Sequence, residues 1–178
     1  MTLPELAVEL RANDRTLRRA ADQGLLRVDR PSPRKVNVPI AERVYLRHHW
    51  HFLSGLRDAL RTEPAVAFAV LFGSRARGDE RPDSDVDLIV RFRKRTDHRE
   101  LESRLSRRMN LHVQVVDFKD AKAAPRLLSE VLREGRVIVD REDAWSQLTA
   151  SRNRIWHAAS RENRDIERQF EKAFRSAA

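Results

Sequence analysis

Gly73-Ser74-Arg75-Ala76-Arg77-Gly78, then six residues, then Asp85-Val86-Asp87-Leu88-Ile89-Val90 is the stretch on which the fold turns. It follows Ala65-Val66-Ala67-Phe68-Ala69-Val70-Leu71-Phe72, an apolar run of strand length and rich enough to be buried on both faces. Asp85 and Asp87 stand two apart at the head of a second strand. The period of two points both carboxylates to one face, roughly 6 to 7 Å apart along the chain. Paired acids on one face suit a hard divalent cation shared with a substrate's phosphates, and two such ions roughly 3.5 to 4 Å apart stabilise the attacking and leaving oxygens of in-line phosphoryl chemistry. The Gly73-Ser74 corner offers backbone amides and a hydroxyl to the phosphates, and a glycine is needed where a Cβ would obstruct the approach. No Gly-Lys-Ser or Gly-Lys-Thr accompanies it, so this is not a Walker loop.

The string Gly73-Ser74-x-Ala76-Arg77-Gly78 followed by Asp85-x-Asp87-Leu88 resembles the signature of the DNA polymerase beta nucleotidyltransferase superfamily, and in particular its minimal nucleotidyltransferases. The resemblance implies an α/β (α+β) core with a small mixed sheet over residues 65 to 141. It assigns Gly73, Ser74 and Arg77 to the nucleotide, and Asp85 and Asp87 to metal binding and catalysis. It implies Mg²⁺ or Mn²⁺, with a nucleoside triphosphate as substrate or ligand, and transfer of the monophosphate to a hydroxyl on a protein, an RNA or a small molecule.

Members of this superfamily usually supply a third carboxylate from a neighbouring strand, in a Val-Asp-Leu-Val type string before a leucine-rich helix and a Leu-Arg-Glu-Gly turn. Here the string is Val113-Gln114-Val115-Val116-Asp117-Phe118, and the turn is Leu132-Arg133-Glu134-Gly135. Counting back from the turn puts Gln114 at the third-acid position. A neutral amide is a poor metal ligand and a poor base for the attacking hydroxyl. Asp117 lies three residues further on and takes the opposite face unless a bulge intervenes. It is the alternative third acid. His112 shares the face of Gln114, and no orienting partner for it is visible in the sequence.

Upstream, Thr2-Leu3-Pro4-Glu5 matches a capping box and predicts a helix to about Ala12. Asn13-Asp14 starts a second helix, which Gly24 is placed to end in a left-handed conformation. Leu25 to Val28 and Lys35 to Val38 read as short strands around a basic, proline-stiffened tip from Asp29 to Arg34. Helix, turn, helix and a two-stranded wing, over residues 1 to 40, resemble a winged helix-turn-helix. That resemblance places Arg15, Thr16, Arg18 and Arg19 at the exposed start of a groove-reading helix, with Arg30, Arg34 and Lys35 reaching flanking phosphates. Duplex DNA is the partner it implies.

Residues 41 to 64 are expected to form a connecting helix on the spacing of Ile40, Val44, Leu46, Trp50, Leu53, Leu56 and Leu60. His48, His49 and His51 within it have no acidic or cysteine partner at ligand spacing and are read as solvated or packed. Residues 142 to 178 are expected to be a helical tail, with Trp145, Leu148, Ile155, Trp156, Ile166, Phe170 and Phe174 at helical spacings. Arg152-Asn153-x-x-x-His157 is similar to the Arg-Asn-x-x-x-His string of HEPN ribonucleases, frequent partners of minimal nucleotidyltransferases in toxin–antitoxin pairs. A tail of this length cannot build their helical bundle, so the string is read as coincidence in an arginine-rich helix.

Composition makes a phosphate-bearing partner the first class to consider, with codon bias toward arginine as the alternative source of the charge. Of 178 residues, 36 are Lys or Arg and only five of those are lysine, for a net charge of +9. Guanidinium forks match phosphate geometry. The lack of cysteine excludes disulfide scaffolds, thiolate zinc sites and thiol nucleophiles. No apolar run approaches membrane-spanning length and no secretory leader opens the chain, so a cytoplasmic location away from the membrane is expected. Two functions share these motifs. One is a DNA-binding nucleotidyltransferase. The other is a catalytically impaired DNA-binding regulator, or the antitoxin of a toxin–antitoxin pair, using the core to sense nucleotide or dock a toxin.

Overall fold

The computed structural model describes residues 1–32 and 35–176, with side chains to residue 172. Arg34 and the side chain of Phe174 lie outside the described residues. Helix α1 (Leu3–Glu9) opens on the capping box, with the Thr2 amide donating to Glu5 Oε2 at 2.8 Å. Helix α2 (Asp14–Asp22) is capped by Asn13, whose side chain accepts from the Arg15 amide at 2.8 Å. Gly24 follows with φ +82°, a left-handed conformation that a glycine adopts without a Cβ penalty.

The two-stranded hairpin is formed by β1 (Asp29–Ser32) and β2 (Lys35–Asn37), antiparallel. Its first strand therefore begins after the Leu25 to Val28 segment expected to supply it. The reason is tertiary. Leu25 and Leu26 are buried in the core, both of their amides point back to the Ala20 carbonyl, and the Arg27 amide donates to Glu42 at 3.1 Å. Amides engaged in this way cannot pair in a ladder.

Helix α3 (Ile40–Arg61) runs into the mixed sheet. Strands β3 (Val66–Phe72), β4 (Val86–Phe92), β5 (Val113–Asp117) and β6 (Arg136–Asp140) lie in the order β5-β4-β3-β6. β3 is antiparallel to β4 and to β6, whereas β4 and β5 are parallel. The parallel pair needs a crossover, supplied by α5 (His98–Met109), which Asp97 caps through the Arg99 amide at 2.9 Å. The short α4 (Gly73–Arg77) turns the chain at the end of β3.

Both faces of the sheet are covered, which is why β3 is apolar along its whole length. On one side α1, α2, α3 and α5 contribute Leu6, Leu17, Leu46, Leu53, Leu56, Leu60, Leu101 and Leu105 to one core with Leu71, Leu88 and Val90. On the other, α6 (Phe118–Lys122), α7 (Pro125–Glu134), α8 (Ala144–Ala150) and α9 (Arg152–Ser176) close over Phe68, Val70 and Ile89 with Phe118, Leu128, Val131 and Leu148. α9 presents Arg152, Asn153 and His157 to solvent. No helix among the described residues is long and apolar enough to cross a membrane.

Candidate active site

The two acids meet where β3 ends and β4 begins. The register pairs Asp87 with Phe72 on one side and with Gln114 on the other. Asp85 precedes the strand, and the following Val86 amide donates to the His112 carbonyl at 2.8 Å, which locks the parallel register at this end. Gly73, the first residue of α4, has φ +71°, and a Cβ on it would lie 2.5 Å from Asp87 Oδ2. Only glycine lets the chain turn this close to the carboxylate. Ser74 is half-buried beside it, and its carbonyl accepts from the amides of Gly78 at 2.8 Å and Asp79 at 3.2 Å.

Asp85 is held at both oxygens. His112 Nδ1 lies 2.9 Å from Oδ1, and the Gln114 side-chain amide donates to Oδ2 at 2.8 Å. Burial pushes the Asp87 carboxyl above its ordinary range; the charges of Asp85 and Glu130 add to the rise, and those of Arg75 and Arg77 oppose it. Two neighbouring carboxylates, one of them disfavoured as an anion, form an oxygen-only donor set that suits Mg²⁺ or Mn²⁺. Among the described residues no three His, Asp or Glu side chains converge as a metal cluster.

Asp117 does not join this group. The β4–β5 register runs without a bulge from Val86–Val113 to Val90–Asp117, so the residue stays on the face opposite Gln114. Its carboxylate instead caps α6, accepting from the Lys119 amide at 2.8 Å. Arg77 lies at the end of α4 and turns outward to Asp79 at 3.1 Å, Glu134 at 2.9 Å and Glu130 at 3.4 Å.

Arg15, Thr16, Arg18 and Arg19 are exposed on α2, opposite buried Leu17, Ala20 and Ala21. Arg18 and Lys35 border one small cavity of about 250 Å³, so helix and hairpin cations lie on the same side. Arg30 is paired with Asp22 at 2.6 Å.

Sequence reasoning missed three contributors. It places His112 on the right face but without its partner Asp85, which arrives through the parallel register. Glu130 reaches the electrostatic surroundings of Asp87 from α7, with no motif to mark it. The third is a buried polar group behind α4, where Arg136, 1% exposed, pairs with Glu42, 4% exposed, at 2.6 and 2.9 Å.

Comparison with known proteins agrees with this fold. The family model described as polymerase beta, nucleotidyltransferase matches residues 55–144. No curated protein matches the chain. Among solved structures, a chain of a toxin–antitoxin complex with AMP-PNP superposes with TM-score 0.56 at 20% identity, covering 67% of this chain and 98% of the other. A chain from the complex of a tri-AMPylated Shewanella oneidensis HEPN toxin with its MNT antitoxin gives 0.53 at 18% identity, over 69% and 98%. One from the toxin–antitoxin MntA-HepT gives 0.52 at 18%, over 68% and 98%. These likenesses show a shared fold. With Asp87 packed on the left-handed Gly73 at the end of a mixed sheet, and half its length matched by the family model, this chain belongs to the polymerase beta nucleotidyltransferase family.

Proposed function

We propose that the chain binds a nucleoside triphosphate with Mg²⁺ or Mn²⁺ and transfers its monophosphate to a hydroxyl, with a partner protein such as a toxin as acceptor. The observation that carries this is the close packing of Asp87 on the left-handed Gly73, with Asp85 two residues before Asp87 at the same end of the strand. It sets the backbone amides of the corner beside a hard oxygen donor. In this reading Asp85 and Asp87 hold the cation, and Gly73 and Ser74 present amides and a hydroxyl to the phosphates. A cation bound there would neutralise the charge of the triphosphate as it reacts. Arg77, tied to three acids, reaches phosphate only by exchanging them. The AMP-PNP in one structural neighbour and the AMPylated toxin in another support the choice of ligand and acceptor. In the same reading residues 1 to 40 form a winged helix-turn-helix that binds duplex DNA through α2 and the hairpin, residues 41 to 64 connect it to the core of 65 to 141, and the location is cytoplasmic.

A second reading is favoured by one contact, the Gln114 amide on Asp85 where the family usually carries an acid. On it the core binds nucleotide without efficient turnover, and the protein acts as a DNA-binding antitoxin or regulator. Calorimetry with MgATP on the wild type and on the Asp85→Ala, Asp87→Ala double variant tests what the readings share, and equal affinity in both proteins rejects it. Labelled-nucleotide transfer to a partner protein then separates the two.

A further inference from the structure

Four residues of α3 form one stripe: Glu42, Tyr45, His49 and Phe52, spaced three, four and three apart. Tyr45, His49 and Phe52 touch the segment that leads from Gly73 to Asp85, and Glu42 reaches it through Arg136. The Tyr45 hydroxyl donates to the Arg75 carbonyl at 2.9 Å. His49 Nε2 lies 2.7 Å from Glu80 Oε1, with Nδ1 2.8 Å from the Tyr45 carbonyl. The Arg75 guanidinium lies over the Phe52 ring at 5.5 Å and donates to the Ser84 carbonyl at 2.8 Å. Glu42 holds Arg136, whose Nε donates to the Ala76 carbonyl at 2.8 Å and whose guanidinium lies 3.5 Å from the centre of the Tyr45 ring. Gly78, with φ +88°, packs so close that a Cβ would meet that ring at 2.9 Å.

The consequence falls on α4. A five-residue helix has several carbonyls without helical partners. Those of Arg75 and Ala76 are taken by Tyr45 and Arg136, and that of Ser74 by the Gly78 and Asp79 amides. The carbonyl end of the turn is thus fixed from behind, opposite the end that carries Gly73. Burial pushes the Tyr45 phenol up to about 12, so it remains a donor at neutral pH.

Resting on the nucleotide-binding reading, we propose that Tyr45 is a positioning residue for the nucleotide: it touches no phosphate, but holds α4 so that the Gly73–Ser74 corner is set for one. The role lies outside the motif that binds.

Tyr45→Phe keeps the ring, its stacking and its contact with Arg136, and removes only the hydroxyl. In the full-length protein, MgATP affinity measured by calorimetry should fall about three- to tenfold, the loss expected for one hydrogen bond. Amide exchange at Gly78 and Asp79 should quicken without nucleotide, while the rest of the sheet keeps its protection and the melting temperature shifts by only a few degrees. Undiminished affinity in Tyr45→Phe, with the wild type binding normally, overturns the positioning role alone. Loss accompanied by general deprotection overturns it in favour of a structural role. A wild type that binds no MgATP removes the nucleotide-binding reading and this proposal with it. A Tyr45→Phe variant that fails to fold likewise overturns the positioning role in favour of a structural one.

Discussion

The Gln114 amide donates to Asp85 Oδ2 at 2.8 Å, while the backbone of the same residue sits opposite Asp87 in the parallel ladder. One neutral side chain thus touches one acid and stands in register with the other. Gln114→Asp is expected to raise nucleotidyl transfer by roughly 10²- to 10⁴-fold, the usual worth of a general base. Asp117→Asn should leave transfer unchanged, because asparagine also caps helices. Labelled-nucleotide assays with Mg²⁺, on both variants and the wild type, check this. Transfer abolished by Asp117→Asn would contradict the strand register.

Gly73→Ala should abolish MgATP binding and lower the melting temperature. The added methyl meets Asp87 at 2.5 Å in a backbone conformation that alanine adopts poorly. Calorimetry and thermal denaturation of the same preparation measure both effects.

The acid pair and the glycine corner are legible in the sequence because their signal is local. The spacing of Asp85 and Asp87, the apolar run of β3 and the Gly73 corner lie within one short stretch of chain, where the period of two translates directly into geometry. The partner of His112 is not legible, since Asp85 reaches it through a parallel pairing made by a helical crossover. Nor is the Glu42–Arg136 pair, whose members are widely separated in sequence and meet only after both layers pack. The shift of the first hairpin strand from Leu25–Val28 to Asp29–Ser32 has the same origin: a short apolar stretch beside a proline-stiffened tip reads as a strand, and burial of Leu25 and Leu26 prevails.

Asp87→Asn should raise the melting temperature in the absence of divalent cations. The Asp87 carboxyl sits above its ordinary range in the folded state, so its favourable contribution is complete below the unfolded value and is lost as pH rises through the folded one. The gain from asparagine is therefore expected at pH 7 to 8 and should shrink toward pH 4. Saturating Mg²⁺ should narrow it by stabilising the wild type. Scanning calorimetry across that pH range, with and without the metal, reads the sign.

Duplex DNA binding should weaken when Arg15, Arg18 and Arg19 are changed together to glutamine, and the slope of log affinity against log salt should become shallower by about 0.9 for each phosphate no longer neutralised. Fluorescence anisotropy at several salt concentrations measures it. A wild type that binds no duplex even at low salt would make the first forty residues a packing element of the core.

Arg136→Met alone should destabilise the fold by about 3–5 kcal/mol, because Glu42 is left as a buried charge without its partner. Adding Glu42→Leu should recover most of that loss. Urea denaturation of the single and double variants gives the comparison.

The Glu42 carboxylate accepts from the Arg27 amide while it holds Arg136, and Arg136 reaches both the Leu25 carbonyl ahead of the hairpin and the Ala76 carbonyl of α4. A single hub therefore joins the segment after the amino-terminal helices to α4 and its Gly73–Ser74 corner. Thermodynamic linkage makes such a joint reciprocal: whatever factor a duplex exerts on nucleotide affinity through it, the nucleotide exerts on duplex affinity in turn. On the proposed function, raising the triphosphate from none to saturating would change the protein's affinity for DNA by at most that factor, with no additional sensor domain.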